Sequence, residues 1–424
     1  MKNKYINALV NFVKENDDWE TKLKKTPYNL KTVKECMWHP NWYMFVYNLF
    51  SSELTNDVVR GCRGTVLEIN GKDVKVISAP YTKFFGYGDP SGKDIEDSIN
   101  WKNAQIQEKI DGIIIKTASV NFELANGNTE KRLYFFTNGS FDLNAPFEDS
   151  LVFDEPATRG ADTYGDLLKY ALSKVVKDEI NYNKEVGFFY CVGDFANSIP
   201  VGATIMLELT SPRNRIICEY KETKLWLHGY RKADGKEVNP RYIKELSMFV
   251  DFPKLYNANN YDELKEILKT FKGNEQEGVV VVDYTTEGTP RAKIKCDNYL
   301  ELKFIRDASC NKSNILFNAV ITNEYDDLVA SVPSLLPKIE EIKSNINKLY
   351  DWVISESLSA AKFENKKDWV MWVKQNKNPE LFSYYMDMKS AFCLKKIESR
   401  LLRLSVKKHG YDELLNLLKE IEND

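Results

Sequence analysis

Histidine is scarce in this chain of 424 residues: three are present, which leaves little room for a histidine-based metal cluster. The seven cysteines, Cys36, Cys62, Cys191, Cys218, Cys296, Cys310 and Cys393, are scattered, odd in number and never in C-x-x-C spacing. Their pattern argues against a disulfide framework or a structural zinc and for reduced thiols in a cytoplasmic protein. The start, Met1-Lys2-Asn3-Lys4-Tyr5, lacks a signal-peptide apolar core, and no run approaches membrane-spanning length. A soluble protein without a membrane partner is expected. The formal net charge of −3 gives no global pull toward nucleic acid, so such a partner would have to be met by a local basic surface. There is no internal repeat and no low-complexity segment.

What is present is ample core material, with 43% hydrophobic and 12% aromatic residues, enough at this length for two domains. Residues 1–30 read as a short amphipathic helix followed by a charged turn. From about Trp38 to Ile305 the texture is mostly short β-rich runs, such as Asn41–Leu49, Arg63–Ile69, Val74–Ser78, Ile113–Val120, Leu133–Thr137, Ala203–Leu209, Leu225–Tyr230, Gly278–Tyr284 and Ala292–Lys295. Helical stretches interrupt them near 162–178 and 259–272. Strands and helices do not alternate regularly, which favours an antiparallel α+β domain over a doubly wound sheet. After Asp307, Ile339, Ile342, Ile346, Leu349 and Val353 recur at helical spacing, and long runs follow over Leu381–Val406 and Tyr411–Ile421. Pro333, Pro337, Pro379 and Gly410 punctuate them. The expected organisation is an antiparallel α+β domain over 1–307 and an all-helical domain over 308–424.

The most informative stretch is Glu108-Lys109-Ile110-Asp111-Gly112, a K-x-D-G spacing. Alone it is weak, because chance yields it roughly 0.1 to 0.2 times in a chain of this composition. Its bland reading is a surface turn. Ile113-Ile114-Ile115 follows at once, which sets the motif at the mouth of a buried strand. A lysine nucleophile must be neutral to attack, and burial and nearby positive charge both favour that form. A nucleotidyltransfer site built on Lys109 also needs cations for a triphosphate and carboxylates for a ribose or a metal.

Candidates of each kind are present. Lys293 and Lys295 are two apart in Ala292-Lys293-Ile294-Lys295 and share one strand face. Glu277-Gly278 opens the apolar run Val279–Val282, and Glu208 ends Ala203–Leu207 before Ser211-Pro212-Arg213-Asn214-Arg215-Ile216. Arg63 in Cys62-Arg63-Gly64 and Lys83 in Lys83-Phe84-Phe85 could grip phosphates, with the aromatic pair as a wall beside a nucleotide. In this order the set resembles the ATP-dependent RNA ligases of the T4 RNA ligase 1 type through most of residues 40–306. That family joins a covalent nucleotidyltransferase domain to an all-helical C-terminal domain. The chain departs from it at Asn138, where a lysine is expected, and at Gly86, where an asparagine is.

The resemblance implies roles for these residues. Lys109 would take AMP from ATP, with Lys293, Lys295 and Glu277 as further catalytic residues. Arg63, Lys83, Phe85, Asp111, Gly112 and Glu208 would contact the nucleotide, and Trp226, Leu227 and His228 would cover the adenine. Glu277 would also support the metal, Mg²⁺ with Mn²⁺ as a substitute. The implied partner is RNA with 5′-phosphate and 3′-hydroxyl ends, a broken tRNA anticodon loop among them, repaired by a monomeric enzyme. DNA ligases and capping guanylyltransferases share the chemistry but would place a small β-barrel after the paired lysines, where this chain runs on through Leu302-Lys303-Phe304-Ile305-Arg306 into helices. A non-catalytic RNA binder would keep the cleft without ligation, and the intact set of Lys109, Glu277, Lys293 and Lys295 counts against it. In the tail, Trp352, Trp369, Trp372, Tyr384 and Tyr385 read as bundle core. Lys366, Lys367, Lys395, Lys396, Arg400, Arg403, Lys407 and Lys408 read equally well as a solvated surface or a basic face for RNA.

Overall fold

Asn3 accepts hydrogen bonds from the Tyr5 and Ile6 amides at 3.1 and 3.0 Å and so starts the helix Lys4–Glu15. Ile6, Leu9 and Val13 fall on one face of that helix and are buried. Leu9 and Val13 pack with Phe45, Val59 and Leu67 beneath a first sheet. The structure is a computed structural model that describes residues 2–34, 39–48, 51–147, 155–307, 312–326, 336–390, 393–407 and 409–424. Cys36, Trp38, Cys310, Pro333 and Lys408, and the expected boundary at 308, lie outside the described residues.

The first sheet is a meander of β1 (Lys31–Lys34), β2 (Trp42–Val46), β3 (Arg63–Asn70) and β4 (Asp73–Ser78). The strands that follow are β5 (Gln105–Lys109), β6 (Ile113–Glu123), β7 (Thr129–Phe136), β8 (Glu179–Asn183), β9 (Phe188–Val192), β10 (Thr204–Thr210), β11 (Lys224–Arg231), β12 (Glu237–Val238), β13 (Leu255–Tyr256), β14 (Gly278–Val282) and β15 (Arg291–Lys295). They make a seven-stranded sheet in the order β12-β11-β10-β6-β7-β9-β8 and a four-stranded sheet in the order β13-β5-β14-β15. The strands within all three sheets pair antiparallel, as the irregular sequence texture led one to expect.

Strand alternation sorts the seven-stranded sheet into two faces. Ile113 and Ile115 of β6, with Leu207, Leu209, Leu225 and Leu227, meet Leu167, Leu168 and Leu172 of the helix Tyr164–Ser173. That helix begins at a capping box formed by Thr163 and Asp166. On the opposite face, Ala118 and Val120 pack with Trp42, Met44 and Val66 of the first sheet.

The chain divides into two compact units, and the division falls between Leu302 and Lys303, inside the helix Asp297–Asp307. In the second unit the helix Leu336–Ala361 buries Ile339, Ile342, Ile346, Leu349 and Val353, the residues whose spacing announced it. Trp369 is fully enclosed, donates Nε1–H to the Tyr385 carbonyl at 2.9 Å and stacks on Trp372. The run expected over Leu381–Val406 is instead two helices, Phe382–Met388 and Cys393–Ser405. Asp387 near the end of the first pairs with Lys396 at 3.0 Å and Arg400 at 2.7 Å on the second. Lys407 pairs with Glu413 at 2.6 Å, so part of the expected basic face is neutralised internally. Among the described residues no helix is long and apolar enough to cross a membrane.

Burial raises the Asp387 pKa, but Arg400 and Lys396 lower it further, to a net value below the usual 3.8. A depressed carboxyl contributes stability above its unfolded value and loses it as pH falls through the folded one. Asp387→Asn should therefore cost about 1 kcal/mol at pH 7 in urea denaturation. The gap to wild type should close as pH is taken below 3.8; a gap independent of pH would contradict this account.

Candidate active site

The K-x-D-G motif lies between two sheets. Lys109 ends β5 in the four-stranded sheet, and Ile113 begins β6 in the seven-stranded one, with Ile110, Asp111 and Gly112 making the crossing. The motif does lie at the mouth of a buried strand, but its lysine belongs to a strand of its own. Gln105-Ile106-Gln107-Glu108 is too polar to announce that strand, which hydrogen bonds to β13 and β14 supply.

Register then assembles the charged cluster. Gly278 of β14 is opposite Lys109 on one side and opposite Lys295 of β15 on the other. Glu277, one residue earlier, is thereby inserted between the two ammonium groups. Its Oε2 is 2.5 Å from Lys109 Nζ and its Oε1 is 3.1 Å from Lys295 Nζ. The strands crowd so closely at this point that a Cβ on Gly278 would strike the Ile294 carbonyl. Burial raises the Glu277 pKa, and the attraction of Lys109 and Lys295 outweighs it, leaving a net lowering. Glu277 is 3% exposed and Lys295 6%, whereas Lys109 is 24% exposed and reachable from solvent.

Asp111 is buried and fully engaged. Its Oδ2 accepts the Ile217 and Cys218 amides at 2.9 Å each, and its Oδ1 accepts the Tyr299 hydroxyl at 3.0 Å. Its own amide donates to Tyr220 Oη at 2.8 Å. Burial, reinforced by Glu277, raises its pKa. In this arrangement Asp111 ties the motif to the 211–218 loop and touches no open space, unlike the nucleotide contact expected of it. Tyr220 and Tyr299, which complete the clamp, carry no sequence signal.

Gly112 faces Glu208. A Cβ there would lie 2.5 Å from the Leu209 carbonyl and 3.0 Å from Glu208 Cγ, so the glycine permits β6 and β10 to close. Glu208 is opposite Ile114 on β6 and Trp226 on β11, hence on the face turned from the Tyr164–Ser173 helix. His228 Nε2 is 3.2 Å from Glu208 Oε2, and its Nδ1 is 2.8 Å from the hydroxyl of Tyr81. Tyr81, which the sequence did not single out, thus holds His228 against Glu208. Leu227 corrects an expectation. It is fully buried in the core on the opposite face, because side chains alternate along β11, so it cannot cover a ring beside Trp226.

Lys293 on β15 is bound through its backbone to the segment that follows Lys83: its amide donates to the Phe85 carbonyl at 3.2 Å and its carbonyl accepts the Tyr87 amide at 3.0 Å. The Lys83–Tyr87 segment is thereby laid along β15. Phe85 is 4% exposed, enclosed by Gly92, Arg60 and Lys83, and does not form an open wall. Phe84 instead faces Arg63, whose guanidinium carbon lies 4.8 Å from the ring centroid.

Glu277 was also expected to support a metal. Both of its oxygens are taken by ammonium groups, and among the described residues no group of three His, Cys, Asp or Glu could hold a metal ion. The protein side chains do not make a metal cage here.

The arrangement offers one reachable lysine backed by a buried carboxylate and a second lysine, with an acid and an aromatic on the adjoining sheet. That is a constellation suited to covalent capture of an anionic, ring-bearing substrate. Comparison with known proteins identifies the class. The RNA ligase family of the T4 RNA ligase 1 type matches residues 61–306, which contain all the candidate residues from Arg63 to Lys295. An RNA ligase of Rhodothermus phage RM378 is similar at 23% identity over 346 residues, covering 73% of this chain and 73% of the relative. With the larger part of its length matched, the chain belongs to the RNA ligase family of the T4 RNA ligase 1 type.

Proposed function

We propose that the protein seals RNA 5′-phosphate and 3′-hydroxyl ends at the expense of ATP, through an AMP carried on Lys109. The observation that supports this most is the register that brings Lys109, Glu277 and Lys295 together at one sheet end, beside Glu208 across Gly112.

In the first step Lys109 Nζ attacks the α-phosphorus. The N–P bond forms, the bond to the bridging oxygen breaks, and pyrophosphate leaves, taking up the proton that the lysine nitrogen gives up. Glu277 orients Lys109, and Lys295, with Lys293 beside it on the same strand face, offsets charge on the phosphates. In this reading Glu208 accepts ribose hydroxyls, with Trp226 and His228 beside the base. An RNA 5′-phosphate oxygen then attacks the same phosphorus, breaking the N–P bond and freeing Lys109. Finally the 3′-hydroxyl attacks the activated 5′-phosphate and AMP leaves. Magnesium would enter as the counter-ion of the nucleotide phosphates, since the side chains provide no cage for it. The resemblance alone carries the reading of a broken tRNA as substrate, in a monomeric cytoplasmic repair enzyme whose helical unit selects the RNA.

Incubation with Mg²⁺ and ATP labelled on its α-phosphate, followed by a denaturing gel, tests the first step. Label retained from ATP and discharged onto 5′-phosphorylated RNA supports the reading. A folded, RNA-binding protein that never takes label would make it a non-catalytic binder, and transfer to DNA ends alone would make it a DNA ligase. A second expectation concerns Gly112→Ala. The added methyl group meets backbone at Leu209, so β6 and β10 must part, and labelling should slow by about tenfold or more. An unchanged labelling rate would show that Glu208 need not lie so close to the motif.

A further inference from the structure

Buried cations in the first unit are generally matched by acids. Arg60 is paired with Asp94, Arg231 and Arg291 with Glu237, and Lys295 with Glu277. Lys116 on β6 breaks this pattern. It is 0% exposed, its Nζ donates to the Gly64 carbonyl and lies 5.0 Å from the Phe136 ring centroid, and burial alone drives its pKa well below the usual lysine value.

The residue before Gly64 is Arg63, whose Nη1 is shut off from water without a hydrogen-bond partner. Asn138, whose backbone crowds the same glycine, buries a side-chain Oδ1 that is equally unpartnered. The two ends of a carboxamide exchange by a simple flip, so Asn138 can present a donor at that point. Among the described residues no acid pairs with Lys116 or Arg63. An enclosed lysine, an arginine nitrogen shut off from water and an unsatisfied amide around one glycine form a place short of an anion. Lys116 shares its strand face with Ile114, whose cross-strand partner is Glu208, so this place lies on the nucleotide side of the sheet.

We infer that Lys116, with Arg63 and Asn138, is a subsite for the β- and γ-phosphates of the nucleotide. Lys116 Nζ leaves the Gly64 carbonyl for a phosphate oxygen as ATP enters, exchanging a neutral acceptor for a charged one. The inference rests on the reading of Lys109 as the adenylylated residue, and it adds Lys116, which nothing in the motif set indicates.

Full-length Lys116→Met keeps the chain length and the contact with Phe136 while removing the ammonium group. Its melting temperature should match or exceed wild type, because a buried amine without an acid partner is gone. The KM for ATP in Lys109 labelling should rise about tenfold or more, while affinity for AMP stays within about twofold. Inorganic pyrophosphate, as a direct probe, should bind the variant about tenfold more weakly. Asn138→Asp gives an independent check: a carboxylate of the same shape neutralises the cations, so the protein should melt higher and yet bind pyrophosphate worse. A Lys116→Met protein with a lower melting temperature and unchanged ATP and pyrophosphate binding would make Lys116 a strut and overturn the inference. Normal labelling with slow transfer to 5′-phosphorylated RNA would move the subsite to the RNA end and overturn the assignment to the nucleotide. If wild type takes no label, the ligase reading fails, and pyrophosphate binding by the two proteins still decides the subsite.

Discussion

Lys109→Ala is expected to abolish covalent labelling from ATP, a loss of at least about 10⁴-fold, with the fold intact. The side chain is at the end of β5 and 24% exposed, so truncating it opens no core cavity. Its removal does leave Glu277 with Lys295 at 3.1 Å, so the buried carboxylate keeps one partner. Melting temperature should therefore move by only a few degrees. The same variant should still seal RNA supplied with a 5′–5′ adenylate, because that end already carries its leaving group and bypasses the lysine. Sealing within about tenfold of wild type, alongside absent labelling, would separate a lost nucleophile from a damaged cleft. Persistent labelling would put the nucleophile elsewhere, and Lys295, enclosed at 6% exposure, would be the next to replace.

The second large effect is on stability. Glu237→Ala should destabilise the first unit by about 3–5 kcal/mol in urea denaturation. Glu237 is 3% exposed and accepts from Arg231 at 3.0 Å and from Arg291, themselves 3% and 5% exposed. Without it two guanidinium groups remain buried with no acid between them. Arg231 retains the carbonyls of Ala79, Pro80 and Gly235, which should hold the loss toward the lower end of that range. Arg291 also lies 3.9 Å above the Tyr81 ring, and Tyr81 holds His228 beside Glu208. The variant should accordingly show a raised KM for ATP as well as a lowered urea midpoint. A loss below about 1 kcal/mol would mean that the arginines find water or relocate.

Much of the candidate site was legible because its signals are local. Lys109 and Asp111-Gly112, the paired Lys293 and Lys295, and Glu277-Gly278 are each readable within a few residues. The helical tail was legible for the same reason, since Ile339, Ile342, Ile346 and Leu349 repeat at the helix period and are buried as a stripe. Polar strands were not legible. β5 and β12 lack the apolar alternation that marks a strand and exist because a neighbour completes their hydrogen bonds. Lys116 was hidden differently: one lysine inside Ile113–Val120 reads as a solvent-facing position, and the first sheet packed over it reverses that meaning.

The sequence by itself determined the chemistry on offer, namely a lysine in K-x-D-G spacing, the cations and acids that accompany it, and that a sheet-rich unit gives way to helices. Only the tertiary structure decided how those groups are used. It placed Glu277 between Lys109 and Lys295, turned Leu227 into the core, engaged Asp111 with the amides of Ile217 and Cys218, and, among the described residues, left Lys116 enclosed and an Arg63 nitrogen shut off from water with no acid paired to either. The reason is separation along the chain. Lys109 and Glu277 meet across 168 residues through strand register, and no short-range period records which strand will become whose neighbour.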